Sequence, residues 1–210
     1  MFREIIRKIC ADDFGYEVVA EAGDGATALR VVLASSPDLV LLDISLPDMD
    51  GFSVIDILRK AGSRARILAI TSAKGSFTLY RLEHSGVEGF IDKSTGSLKN
   101  LREAIEAVGS GRRYFSPAFT KAKAVRLADP GSFDKVLSDR EREVLALIGH
   151  SLSDKEIGSR LKISPKTAES FRTKIMNKLG LHSTPKLIRF AIENGFTQVC
   201  LPNDGGAAFP

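Results

Sequence analysis

Three residue types that together handle phosphoryl groups stand at the ends of short apolar runs. Asp43 follows Leu39–Leu42, Thr71 follows Ile67–Ile70, and Lys93 lies just past Gly89–Ile91. A carboxylate can attack phosphorus as a nucleophile. An ammonium can stabilise charge on the transferred group, and a hydroxyl can hydrogen-bond one of its oxygens. Taken singly, the same residues could be a helix N-cap, a loop threonine and a surface lysine. A second chemistry lies further on: between Lys155 and Arg189 only Glu156 and Glu169 oppose a run of lysines and arginines. That is a local positive field of the kind that attracts phosphate backbones. Within it Lys166, Arg172, Lys174 and Lys178 are assigned to such backbone phosphates, contacts that position without specifying sequence.

Asp43, Thr71 and Lys93 can meet if the runs before them are neighbouring parallel strands, because chemistry in such sheets gathers at the carboxyl ends. The chain has the required alternation. Phe2–Cys10 has a helical period, Glu17–Glu21 (EVVAE) reads as a strand and Ala26–Leu33 as a helix. Strands at Leu39–Leu42, Ile67–Ile70 and Gly89–Ile91 are followed by helices at Phe52–Lys60, Phe77–Ser85 and Ser97–Ser110. This pattern predicts a parallel sheet covered on both faces. The alternation stops at Arg112, and Asp129-Pro130-Gly131-Ser132 marks a break, so 112–133 reads as a linker.

Beyond the linker, Ser138 with Glu141 and Ser153 with Glu156 have capping-box spacing, and Val144, Leu145 and Ile148 form an inward face. A short helix ends near Leu161, a tight turn follows, and Ser164-Pro165 opens a second helix that runs to about Leu179. Ala168, Phe171, Ile175 and Leu179 form its buried stripe, opposite a polar and basic face. That is the form of a helix-turn-helix, although a plain helical hairpin would show the same stripe.

Longer stretches resemble known families. Leu137–Leu187, with its SDREREVL opening, KEI centre, ISPKT turn and KLGL close, resembles the four-helix DNA-binding domain of the LuxR/NarL family. LVLLDISLPDMDG, ILAITSA and GFIDKST resemble the motifs of bacterial response-regulator receivers. The resemblance implies an α/β receiver with a flavodoxin-like parallel sheet of order 2-1-3-4-5, followed by an all-α four-helix helix-turn-helix domain. It makes Asp43 the phosphoacceptor, Thr71 the switch hydroxyl, Lys93 the ion-pairing lysine and Phe90 the aromatic that turns inward. Pro47 and Gly51 would shape the loop beside Asp43. It makes Glu169, Ser170 and Thr173 the base readers, and Leu187, Ile188 and Ala191 of the last helix (Thr184–Asn194) dimer contacts. The implied function is a two-component transcription regulator: a sensor histidine kinase phosphorylates the receiver, and a homodimer binds DNA. No motif places a general base, and His84, His150 and His182 are scattered, so enzymatic turnover is not expected.

Receivers open with a strand ending in an acidic pair that holds Mg²⁺, and here the pattern departs. The acidic pair near the start is Asp12-Asp13, and only Phe14, Gly15 and Tyr16 separate it from the strand at Glu17. A helix of ~11 residues cannot fit in that gap. The first strand and the true acidic pair are therefore expected to be absent. Asp43 and the backbone carbonyl of Ser45, with help from Asp48 or Asp50, would make a poor Mg²⁺ site. Two explanations follow: Met1 is an internal methionine of a longer gene, the preferred expectation, or the receiver does not use phosphate and serves as a dimerisation or partner-binding module. Either way, weak phosphorylation is expected.

Length and composition agree with this organisation. The 210 residues suffice for a receiver at 1–111, the linker, a DNA-binding domain at 134–199 and a disordered tail at 200–210. A net charge of +4 is too small to argue for nucleic acid by itself. Cys10 and Cys200 lie far apart without metal-ligand spacing and read as free thiols of a reducing compartment. No apolar run approaches the ~20 residues a membrane helix needs, and the charged start is no signal peptide. A cytoplasmic protein without membrane partners is expected.

Overall fold

The computed structural model describes residues 2–72, 75–93 and 97–198; the tail expected at 200–210 lies outside them. The chain divides into two compact units. The first takes the residues up to Ser72 together with Arg81–Thr120, and the second takes the stretch ending at Tyr80 and the chain from Lys121 onward.

The first unit is built on four parallel strands: β1 (Leu39–Asp43), β2 (Arg66–Thr71), β3 (Gly89–Asp92) and β4 (Tyr114–Phe115), ordered β1-β2-β3-β4. Helices α1 (Phe2–Lys8), α2 (Gly25–Ser35), α3 (Gly51–Lys60), α4 (Ser76–His84, divided between the two units after Tyr80) and α5 (Leu98–Gly109) alternate with them along the chain. A π-helical turn, Ile9–Asp13, extends α1. Ile67, Leu68 and Ala69 of β2 are wholly buried, as expected for a parallel strand covered on both faces. On one face Leu68, Ile70 and Ile91 pack with Ile9 and Cys10 and with Leu101, Ala104, Ile105 and Val108 of α5. The parallel α/β class read from the sequence is the observed one.

Two sequence expectations are corrected. Glu17–Glu21 forms no strand, and Val19 is 51% exposed. A strand holds only beside another strand, and no described segment between it and β1 supplies that neighbour. Tyr16 anchors the stretch instead: its N–H reaches the Cys10 carbonyl at 2.8 Å, and its hydroxyl fills the space where a Gly109 Cβ would stand. The linker expected at 112–133 is largely structured. Tyr114 and Phe115 add β4 beside β3, and the Ala- and Lys-rich stretch forms α6 (Pro117–Ala128), followed by the short α7 (Phe133–Val136). Phe119 packs its ring on Phe90 and Phe115.

In the second unit α8 (Asp139–Gly149), α9 (Asp154–Leu161), α10 (Pro165–Lys178) and α11 (Thr184–Glu193) enclose Val144, Leu145, Ile148, Ile157, Ala168, Ile175, Leu187 and Ala191. Ser138–Glu141 and Ser153–Glu156 both close full capping boxes, and the Ser164 hydroxyl accepts the Thr167 N–H at 3.0 Å. The turn between α9 and α10 needs two unusual backbones. Lys162 sits in the left-handed region (φ 54), and Gly158 lies so close to Ile163 that a Cβ would stand 2.8 Å from its carbonyl oxygen.

Lys162→Gly is expected to stabilise the second unit by up to about 1 kcal/mol, since glycine adopts φ > 0 without strain. Gly158→Ala is expected to destabilise it by about 1–3 kcal/mol through overpacking against backbone. Hydrogen exchange of the Ile157 and Ile175 amides reads both; slower exchange in Gly158→Ala would contradict the turn geometry.

Candidate phosphoryl-acceptor site and DNA-binding helix

The register of the parallel ladder brings the acceptor residues together. Asp43 lies opposite Ile70, and Thr71 opposite Asp92. The ladder runs one bond further at each end, from Ile44 N–H to Ile70 O at 3.1 Å and from Lys93 N–H to Thr71 O at 3.0 Å. Lys93 Nζ is ion-paired with Asp43 Oδ2. The Ser45 N–H donates to Asp43 Oδ1 at 3.0 Å, and the Ser45 and Thr71 hydroxyls stand 3.5 Å apart. Thr71 is 0% exposed, whereas Asp43 and Lys93 are partly open to solvent. A carboxylate, a cation and a hydroxyl thus converge on one rim, as their chemistry requires. Phe90 is buried, one strand away, against Phe119.

The loop after Asp43 is held from three directions. An isolated antiparallel bridge joins Ser45 to Asp50, and the Gly51 N–H donates to Ile44 O at 3.0 Å. A Cβ on Gly51 would stand 2.6 Å from Ile44 Cα and 2.8 Å from Asp43 O, so only glycine permits this approach. Asp48 turns away from Asp43 and accepts the Gly25 and Ala26 N–H groups at the start of α2, at 2.7 and 2.9 Å. The Gly25 bond foremost holds the Asp48 carboxyl below its usual range. Asp50 is buried and paired with Arg81 at 2.6 Å; burial pushes its carboxyl up, with Arg81 acting against that.

These residues do not fit a Mg²⁺ site. Among the described residues no three Asp, Glu, His or Cys side chains gather as a metal cluster. Asp13 is ion-paired with Arg102 of α5, which agrees with its reading as part of the helix exit. Asp48 and Asp50, expected as supporting ligands, are engaged with α2 and Arg81. A hard dication prefers several oxygen ligands, and two of these carboxylates are committed elsewhere.

On α10 the side chains divide into two sets. Lys166, Glu169, Ser170, Thr173 and Lys174 are exposed, with Thr173 Oγ1 also donating to Glu169 O at 3.1 Å. Arg172 is only 13% exposed and grips Asp154 through Nε and Nη2 at 2.9 and 2.7 Å. Lys178 Nζ reaches Glu141 Oε2 at 2.7 Å, tying the end of α10 to the capping box of α8. Burial works against ionisation of Glu141, but the Lys178 ammonium and the Ser138 N–H and hydroxyl hold its carboxyl below the usual range.

Both parts of the chain match known families. Residues 1–106 match the response regulator receiver domain, and residues 135–191 match the bacterial regulatory proteins of the luxR family. The virulence-factor transcription regulator BvgA of Bordetella pertussis is 33% identical over 191 residues, covering 89% of this chain and 90% of BvgA. The chain belongs to the LuxR/NarL family of response regulators. The nitrate/nitrite response regulator NarP of Escherichia coli is 32% identical, covering 87% of this chain and 86% of NarP. RcsB of Salmonella enterica serovar Typhimurium, solved bound to the rprA promoter with a phosphomimetic, superposes with a TM-score of 0.59 at 25% identity, covering 90% of this chain and 92% of that one.

Within this response regulator several expected roles are revised by position. Arg172 is engaged within the unit, because Nε and Nη2, one edge of its guanidinium, both donate to Asp154 Oδ1. Lys178 is exposed but partly committed to Glu141; Lys166 and Lys174 are exposed as well. Leu187 and Ala191 are 0% exposed and belong to the core, so they offer no dimer surface; on α11 Ile188 is partly buried and Ile192 is 55% exposed. The sequence reading missed the Asp50–Arg81 and Asp154–Arg172 pairs. Asp154 in the first turn of α9 signals a helix-start anion, but nothing local names its partner.

Arg172→Ala is expected to lower stability by about 1.5–3 kcal/mol, the worth of charge-assisted bonds, and to leave the salt dependence of DNA binding unchanged. A flattened salt slope with unchanged stability would return Arg172 to the phosphates. The lowered Glu141 carboxyl contributes stability above its ordinary value of 4.5, and that contribution is lost as pH falls through the lower folded value. Acid titration of unfolding should therefore show a loss below pH 4.5 that Glu141→Gln flattens.

Proposed function

We propose that this regulator accepts a phosphoryl group on Asp43 from a sensor histidine kinase and binds promoter DNA as a homodimer through α10. The observation that carries the reading is the Lys93–Asp43 ion pair on the rim beside buried Thr71, in one chain with a fully capped helix-turn-helix. An Asp43 carboxylate oxygen attacks phosphorus, the bond from phosphorus to the donor nitrogen breaks, and an acyl phosphate forms. Lys93 offsets the charge on the phosphoryl oxygens, and Thr71 is placed to hydrogen-bond one of them. The aspartate acts once per event, as a stoichiometric acceptor and not as an enzyme. BvgA and NarP, named as regulators, support this over a receiver that works without phosphate. No described helix is long and apolar enough to cross a membrane; a cytoplasmic location suits a protein that meets both a kinase and DNA.

On DNA, the exposed N-terminal half of α10 presents Glu169, Ser170 and Thr173 to base edges, where a glutamate can accept from a cytosine amino group. Lys166 and Lys174 flank them for phosphates. The structure of RcsB on promoter DNA supports this use of the homologous unit.

Intact mass after incubation with acetyl phosphate, with and without Mg²⁺, tests the acceptor. One phosphoryl adduct is expected on the native chain and none on Asp43→Ala, with slow formation because the described residues build no metal cluster. A native chain that takes no adduct would sink the acceptor reading. In a binding-site library Glu169→Ala should shift base preference by about 1–3 kcal/mol at one position. Lys174→Ala should weaken all sites alike and reduce the salt slope by about 1. Identical behaviour of the two variants would refute the division of roles.

A further inference from the structure

We infer that Arg81 is a positioning residue for Asp43, acting through Asp50 and the loop from Ile44 to Gly51; the inference rests on the acceptor reading above. The Asp50 side chain is 0% exposed, and a buried carboxylate is costly unless paired and hydrogen-bonded. Arg81 Nη1 pairs with one oxygen at 2.6 Å, and the Phe52 N–H donates to the other at 3.2 Å. The guanidinium also lies 3.9 Å over the centre of the Phe52 ring, which fixes it laterally.

What Asp50 holds is the return of the acceptor loop. Its backbone bridges Ser45, and its carbonyl accepts from Ser53 and Val54 in the first turn of α3. Ser45 is the residue whose N–H is bonded to Asp43 Oδ1. The loop is anchored on one side by Asp48 at the start of α2, and on the other by Asp50 to Arg81 of α4, the helix that follows the strand ending in Thr71. Arg81 therefore connects the loop beside the acceptor to the element beyond the switch hydroxyl. It touches no reacting atom. Its effect reaches Asp43 through the Ser45 N–H, which orients one carboxylate oxygen while Lys93 holds the other.

The test uses the full chain in three forms: native, Arg81→Met, which keeps an unbranched stem over Phe52 without the charge, and Asp50→Asn/Arg81→Met, which leaves no orphan charge and guards against simple misfolding. Amide hydrogen exchange is read at Ser45 and Gly51 and, as a control, at Leu68 and Ala69 of β2. Adduct formation with acetyl phosphate and Mg²⁺ is followed by intact mass. Both variants are expected to speed exchange at Ser45 and Gly51 by about tenfold or more while β2 stays protected, and to slow adduct formation. Unchanged exchange at Ser45 and Gly51 overturns the inference. Equal speeding at Leu68 and Ala69 overturns it too, because Arg81 would then be an ordinary stabiliser. If the native chain takes no adduct and the loop amides still respond, the acceptor reading fails, and Arg81 is shown to order the Asp43 loop all the same.

Discussion

A parallel ladder has to bring the carboxyl ends of its strands to one rim, and the chemistry of the first unit depends on that constraint. Asp43, Thr71 and Lys93 are distant in sequence and come from three crossover units. They meet because β1, β2 and β3 run the same way in a register that continues past the strand ends through Ile44 and Lys93. Helices on both faces leave β2 buried from Ile67 to Thr71, so the ladder has little room to slip: a one-residue shift would turn each apolar side chain to the wrong face. The acceptor geometry is a by-product of core packing, and only residues at or just past the strand ends, Asp43, Thr71 and Lys93, have been given over to chemistry.

The second unit uses charge in two ways that composition cannot separate. Arg172 and Lys178 are as basic as Lys166 and Lys174, yet Arg172 joins α10 to α9 and Lys178 joins α10 to α8. A largely buried Arg–Asp pair, with Nε and Nη2 both on Asp154 Oδ1, ties the two helices of the turn together. The exposed lysines carry no such commitment and keep their charge available to a polyanion. A recognition helix must be presented rigidly as well as charged, and this one divides its cations between those tasks.

How much of this was legible in the sequence follows from the range of each interaction. Ser138, Ser153 and Ser164 were read correctly as caps because a cap lies within three residues of its partner. The stripe of Ala168 and Ile175 was legible because helical period is local. Glu17–Glu21 reads differently for the opposite reason: the adjacent valines Val18 and Val19 describe a strand only when a neighbour is present, and propensity cannot report a missing neighbour. Leu187 and Ala191 show the same limit, since an apolar stripe does not say whether it faces a core or a second copy. The ion pairs that set both sites, Asp50–Arg81 at a separation of 31 residues and Arg172–Asp154 at 18, have no sequence signature and emerge only from the fold.

The resting state of Asp43 also bears on what a phosphoryl group would change. Both carboxylate oxygens are already engaged, Oδ2 by Lys93 and Oδ1 by the Ser45 N–H, but a carboxylate offers about four acceptor sites, so engagement orients the nucleophile without blocking it. Once one oxygen is esterified, the carboxylate charge is gone and about two negative charges lie further out on the phosphoryl group. On the proposed function Lys93 would be drawn outward with them, and the new oxygens would compete for the Thr71 hydroxyl, which stands beside the Ser45 hydroxyl. Thr71 is fully buried at the end of a fully packed strand, so it has little freedom to move without its surroundings. On that function a charge displaced by a few ångströms at the rim would be converted into a packing change in the first unit. That conversion needs a loop that stays in place while the charge moves, and the clamp formed by Asp48, Asp50 and Gly51 supplies it.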